Sequence, residues 1–202
     1  ESADGDRAVT GLHSALRKIE ETSAKLHELR RQGKFRDTLA VINDLFMLRT
    51  KTFGPLHTDV AISWEQVAEF AQLIGNLEHA ENALGQARDI YSFVLGEDHW
   101  RTISARIALE TARKVARFDA KQRERYMSAR MAQLEAAQLH EDGQVDKAIV
   151  LVEKVCEDYR TLLGEDHALY ADSLHFLAVL HLKNGNYDKA TPCVFKASVI
   201  SM

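Results

Sequence analysis

Three stretches of this sequence put histidine beside carboxylates: Glu97-Asp98-His99, His140-Glu141-Asp142 and Glu165-Asp166-His167. Imidazole nitrogen and carboxylate oxygen are donors that could hold a transition metal. Contiguous residues rarely converge on one ion, however, and the first and third stretches are copies of one linker, so helix ends account for them. His175 and His181 lie six residues apart and do not share a helix face as an i, i+4 pair would. They read as a groove residue and a core residue respectively. No His-Glu-x-x-His, Gly-x-Ser-x-Gly, glycine-rich phosphate loop or calcium loop occurs. The sequence therefore assigns no catalytic residue, no metal and no cofactor, and the expectation is that the chain is not an enzyme.

The elements that would position any functional side chain are helices. Two prolines and ten glycines in 202 residues leave long stretches without a breaker, filled by alanine, leucine, glutamate, lysine and arginine. A hydrophobic fraction of 46% with 28% charged residues is an ordinary globular balance. Net charge is −4 and the pI about 6.2, so there is no global basic surface for a phosphate backbone, and nucleic acid is not an expected partner. No run of about 18 apolar residues exists to span a bilayer, and Glu1 to Arg7 is polar rather than signal-like. The missing initiator Met and the ending at Ser201 and Met202 are expected of a processed chain or a piece of a longer one. Cys156 and Cys193 fall inside helical patterns without metal spacing and read as buried free thiols of a reducing, cytoplasmic compartment, a disulfide between them being the alternative.

Self-similarity organises the chain. Gly33-Lys34-Phe35, Gly75-Asn76-Leu77, Gly143-Gln144-Val145 and Gly185-Asn186-Tyr187 each open a helical run; the first two and the last two are 42 residues apart, the middle two 68. A second marker keeps the same register: Phe53-Gly54-Pro55-Leu56-His57, Leu95-Gly96-Glu97-Asp98-His99 and Leu163-Gly164-Glu165-Asp166-His167. Gly96 and Gly164 are helix stops. Asp98 and Asp166 stand where a short carboxylate could take the free N–H groups of the next helix. Each Gly-x-apolar marker is the tight turn of a helical hairpin, followed by Ala80, Ala148 or Ala190, which let the two helices approach.

The turn Gly185 to Ala190, with Leu174, Leu177 and Ala178 before it, resembles the tetratricopeptide signature; Trp64, Val67 and Ala68 hold the same offsets before Gly75, and Leu84 and Ala87 match second-helix positions. The 42-residue period and the Leu-Gly-Glu-Asp-His linker resemble the kinesin light chain subtype, over roughly residues 12 to 202. The resemblance implies an all-α helical-hairpin solenoid of about five units, one degenerate, with helices near 9–32, 35–53, 58–74, 77–95, 100–116, 125–142, 145–163, 168–184 and 187–202. Residues 1–116 would hold the N-terminal hairpins, 117–142 an irregular connection or long helix, and 143–202 the C-terminal hairpins. Thr22 and Lys25 replace apolar residues in the first helix, as in a cap facing water.

Between Gly96 and Gly143 there is neither glycine nor proline, which favours one helix from about 101 to 141; the alternative is a break near Arg117, Phe118 and Asp119. Without the second helix of the third repeat, Tyr126, Met127, Met131 and Leu134 would need a partner surface, and a homodimer is the candidate. The resemblance further implies a groove lined by first helices: Ile62, Glu65, Glu69 and Gln72; then, with Ala116 at the glycine place, Ile103, Arg106, Glu110 and Arg113; then Arg130, Gln133 and Ala137; then Asp172, His175, Val179 and Lys183. Arg106, Arg113, Arg130, His175 and Lys183 would form a positive stretch for a peptide carboxylate or acidic segment, while pairing with Glu110 and Glu135 is the plainer fate of the arginines. Trp64 takes a core position, and Trp100 is a candidate hot spot if exposed. The function expected is a protein-interaction scaffold, with self-assembly of a larger protein as the alternative.

Overall fold

The computed structural model describes residues 2–200, with side chains from residue 10 onward other than those of residues 35 and 36. Glu1, Ser201 and Met202, the last two expected in the final helix, lie outside the described residues. All regular structure among the described residues is α-helical: α1 Ser2–Arg31, α2 Phe35–Phe53, α3 Thr58–Leu73, α4 Leu77–Leu95, α5 Trp100–Ala116, α6 Ala120–Glu141, α7 Val145–Leu163, α8 Ala168–Lys183 and α9 Tyr187–Ile200. The hairpins α1–α2, α3–α4, α6–α7 and α8–α9 match the repeat register, and α1 starts earlier than expected because nothing in its first residues stops a helix. No described helix is long and apolar enough to cross a membrane.

The hairpin turn follows from Gly75 and Asn76. Gly75 takes φ 77°, a conformation that strains any residue with a Cβ, and Asn76 N–H returns to the Ala71 carbonyl at 2.8 Å. The Asn76 side chain then accepts the His79 N–H at 3.1 Å and opens α4. The linkers work differently from expectation. Asp98 and Asp166 do not take the free N–H groups; His57, His99 and His167 do, each accepting through Nδ1 from the backbone two residues on, at 3.1, 3.2 and 3.1 Å. The imidazole sits at the N-cap itself, whereas the aspartate precedes it by one residue, leaving it only a favourable place near the helix dipole.

A continuous helix over 101–141 is not what forms. The α5 helix ends at Ala116 and α6 begins at Ala120, so the break near Arg117, Phe118 and Asp119 is the one observed. Asp119 accepts the Gln122 N–H at 2.8 Å while Gln122 Oε1 accepts the Asp119 N–H at 3.0 Å. This reciprocal capping box satisfies donors that a new helix would otherwise leave orphaned. Phe118 is buried edge-on to Tyr126, ring centroids 6.4 Å apart. A cap and a buried aromatic turn the chain without glycine.

The chain forms two compact units, Glu1–Arg113 and Lys114–Met202. In the first, Ile19, Leu26 and Leu29 of α1 meet Val41, Ile42 and Leu45 of α2 and Phe70 of α3. A second cluster joins Val60 and Ala61 of α3, Ala87, Ile90 and Tyr91 of α4 and Ala105 of α5, with Trp64 half-buried against it and 4.7 Å from Phe46. In the second unit the buried side chains include Val152, Val155 and Tyr159 of α7 and Leu174, Leu177, Ala178 and Leu180 of α8. Cys156 is buried on α7 and Cys193 half-buried on α9; both are free thiols.

Candidate protein-interaction surface

In the first unit, α3 carries Glu65 half-buried beneath α4, where its carboxylate accepts the Tyr91 hydroxyl at 3.0 Å. Arg101 of α5 donates to the same hydroxyl at 3.3 Å. Burial pushes the Glu65 carboxyl above its ordinary range against the opposing pull of Tyr91 and Arg101, and the Tyr91 phenol is pushed up to about 12 by burial and the neighbouring carboxylate. Glu65 is therefore engaged in a network spanning three helices. Glu69 is also engaged, in a 2.7 Å ion pair with Arg30 of α1, both side chains about one-third exposed. Ile62 and Gln72 are half-buried beside them.

The α5 positions need reassignment. Arg117 N–H bonds the Lys114 carbonyl as Gly75 N–H bonds that of Gln72, so Arg117, not Ala116, stands at the glycine place. Counted in that register, Arg106, Glu110 and Arg113 align with Trp64, Ala68 and Ala71 of α3 and with Leu174, Ala178 and His181 of α8. Those are the inward positions of complete hairpins; on α5, which has no second helix of its own, they are exposed and charged. Arg113 pairs with Glu81 of α4 at 2.8 Å, and Ile103 is half-buried. Trp100 is 64% exposed, with the Arg101 guanidinium 4.9 Å from its ring centroid. Arg101 is the side chain that sequence reasoning passed over; its position right after an exposed tryptophan was the available signal.

In the second unit, α6 repeats the tyrosine device in altered form. Tyr159 of α7 donates to Gln133 at 3.1 Å, the pair lying 68 residues after Tyr91 and Glu65. Arg130 is half-buried beside the Tyr126 and Tyr159 rings, and Ala137 is exposed. On α8, Asp172, His175, Val179 and Lys183 follow one another at i, i+3, i+7 and i+11, and all four are exposed. Burial still lifts the Asp172 carboxyl, with His175 opposing. Of the expected positive stretch, Arg106 and Arg113 belong to the first unit and Arg130, His175 and Lys183 to the second.

The candidate dimer surface loses a member. Tyr126 is only 2% exposed, held between Phe118 and Tyr159, so it is core. Met131 and Leu134 are 45% and 46% exposed, and Met127 half-buried.

No curated protein matches the chain. Among solved structures, a kinesin-light-chain-like protein of Podosopora anserina with nearly identical TPR-like repeats is 17% identical, with 91% of this chain and 95% of that one covered at a TM-score of 0.43. A single-residue variant of it gives 17%, 91%, 94% and 0.42. BtubC (BKLC) from P. vanneervenii is 15% identical, with coverages of 94% and 89% and a TM-score of 0.39. The tetratricopeptide repeat family model matches residues 122–193, from the first turn of α6 into α9. Those residues of this chain match tetratricopeptide repeats, and the hairpins α1–α2 and α3–α4 before them have turn glycines at the same 42-residue spacing.

Proposed function

We propose that the chain is a protein-interaction scaffold that binds a peptide or partner segment along exposed first-helix faces. The observation that carries this reading is the α8 stripe of Asp172, His175, Val179 and Lys183. On a helix packed against α7 and α9, it offers an apolar contact at Val179, with exposed Leu182 alongside, flanked by both signs of charge. The interior network at Glu65, Tyr91 and Arg101 supports the same reading by fixing the neighbouring helices, leaving exposed Trp100 as a rigid anchor at the start of α5. An acidic overall charge supports a protein partner over nucleic acid. A second reading, self-assembly, draws on Met131 and Leu134.

Selecting a displayed random-peptide library on the whole chain tests the first reading. Enriched peptides, titrated by fluorescence anisotropy, should lose about tenfold or more in affinity for His175→Glu with Lys183→Glu or for Trp100→Ala, with helical circular dichroism unchanged. No enrichment, or peptides indifferent to all of these changes, would refute it.

A further inference from the structure

The spacing of 68 rather than 84 between successive linkers means that one helix of the third hairpin is missing, and α6 shows what that leaves. In α8, which packs on α7 before it and α9 after it, Ser173, Leu177 and Leu180 are buried. Their counterparts 42 residues earlier are Met131, Glu135 and Gln138; Met131 and Glu135 are exposed and Gln138 is half-buried. α6 packs on its own second helix, α7, but the second helix of the hairpin before it, that of α5, is missing. Only Tyr126, Ala129 and Ala136 of its 22 residues are buried.

The uncovered face has a seven-residue order. Met127 and Leu134 fall on one seam position and Met131 on the other, with Lys121, Ser128, Glu135 and Asp142 along one flank. Charge is polarised along the same helix. Residues 120–130 carry Lys121, Arg123, Arg125 and Arg130 against Glu124, whereas residues 131–142 carry Glu135, Glu141 and Asp142 and no Lys or Arg. A helix basic at its start and acidic at its end is complementary to itself only when turned end for end.

We propose that α6 pairs with α6 of a second copy in an antiparallel, two-fold arrangement centred on Met131. This develops the self-assembly reading and does not depend on peptide binding by α8. Met131 sits at the axis between Met127 and Leu134 of the second copy, and residues on the same flank meet when their numbers add to about 263. Lys121 then faces Asp142 of the second copy, twice by symmetry. Lys121 and Asp142 are both exposed, and no ion pair engages either within the described residues; the Asp142 carboxylate accepts a 3.1 Å hydrogen bond from the Gln138 side chain, and its backbone N–H closes the last turn on the Gln138 carbonyl. At about 1.5 Å rise per residue the helix is roughly 33 Å long, and a seam roughly 10 Å wide buries about 330 Å² per copy, below what permanent dimers use. The dimer is accordingly reversible and concentration-dependent.

The test is sedimentation equilibrium of the whole chain from about 10 μM to about 1 mM. Lys121→Glu alone and Asp142→Lys alone each set like charges opposite one another twice and should weaken association about tenfold. The double variant should recover it, and an equimolar mixture of the two single variants should form a heterodimer tighter than either parent. Met131→Asp should abolish it. Strict monomer over the whole range, or a dimer indifferent to these charge exchanges, overturns the proposal; neither result bears on the α8 variants, which are read by peptide affinity.

Discussion

Replacing Tyr91 and Tyr159 by phenylalanine makes the same chemical change at two places 68 residues apart, and the structure requires different results. Each hydroxyl donates to a first-helix side chain, at 3.0 Å to the Glu65 carboxylate and at 3.1 Å to the Gln133 amide oxygen. Hydrogen bonds to charged groups contribute about 1.5–3 kcal/mol and neutral ones about 0.5–1.5 kcal/mol, so Tyr91→Phe should destabilise its unit by about 1 kcal/mol more than Tyr159→Phe does. The pH dependence separates them further. Glu65 has a raised carboxyl, and the lost hydroxyl was a group holding it down, so removing it raises the carboxyl again. The Tyr91→Phe penalty is therefore full where Glu65 would be ionised and shrinks as acid protonates it, while the Tyr159→Phe penalty is flat because an amide does not titrate. Urea unfolding, followed by circular dichroism at pH 7.5 and pH 4.5, measures both. Equal penalties at pH 7.5, or a Tyr91→Phe penalty that grows in acid, would refute the reasoning.

Two further outcomes can be checked directly. The His167 imidazole is held below its ordinary value by burial and by Lys114, so the unfolded chain binds the extra proton first. Its contribution to stability is present above about pH 6.5 and declines as pH falls from there toward the lower folded value. His167→Asn, which keeps a capping oxygen but does not titrate, should flatten that part of the stability profile measured by urea midpoint. Cys156 is buried and its thiol is pushed up to about 12, so under native conditions a maleimide followed by mass spectrometry should label half-buried Cys193 well before Cys156; labelling in the reverse order would contradict the packing of α7.

Helix order and hairpin pairing were legible because glycine turns and linker markers repeat in one register, and Gly75 and Gly96 show why: both take positive φ. The α5–α6 joint was legible only as the alternative to a continuous helix, since a capping box such as Asp119 with Gln122 is two short polar contacts that break no hydrophobic period. Counting from Ala116 rather than Arg117 shifts the α5 register by one residue, and Arg106, Glu110 and Arg113 are exposed there. Tyr126 was misread for the opposite reason: the sequence shows an aromatic on a helix lacking a partner, and only folding reveals Phe118 already covering it.

The ownership of α5 bears on how this protein can be cut. Its body packs with α3 and α4, yet Lys114 in its last turn donates to the Leu163 carbonyl at 2.6 Å at the far end of α7, and Val115 is buried. A recombinant fragment starting at Arg117 would expose the end of α7, whereas one starting at Trp100 would keep that clasp at the expense of a naked apolar strip including Ala105, Leu109 and Ala112. A boundary on either side of α5 thus bares one surface or the other, and dissection is better done by substitution in the intact polypeptide.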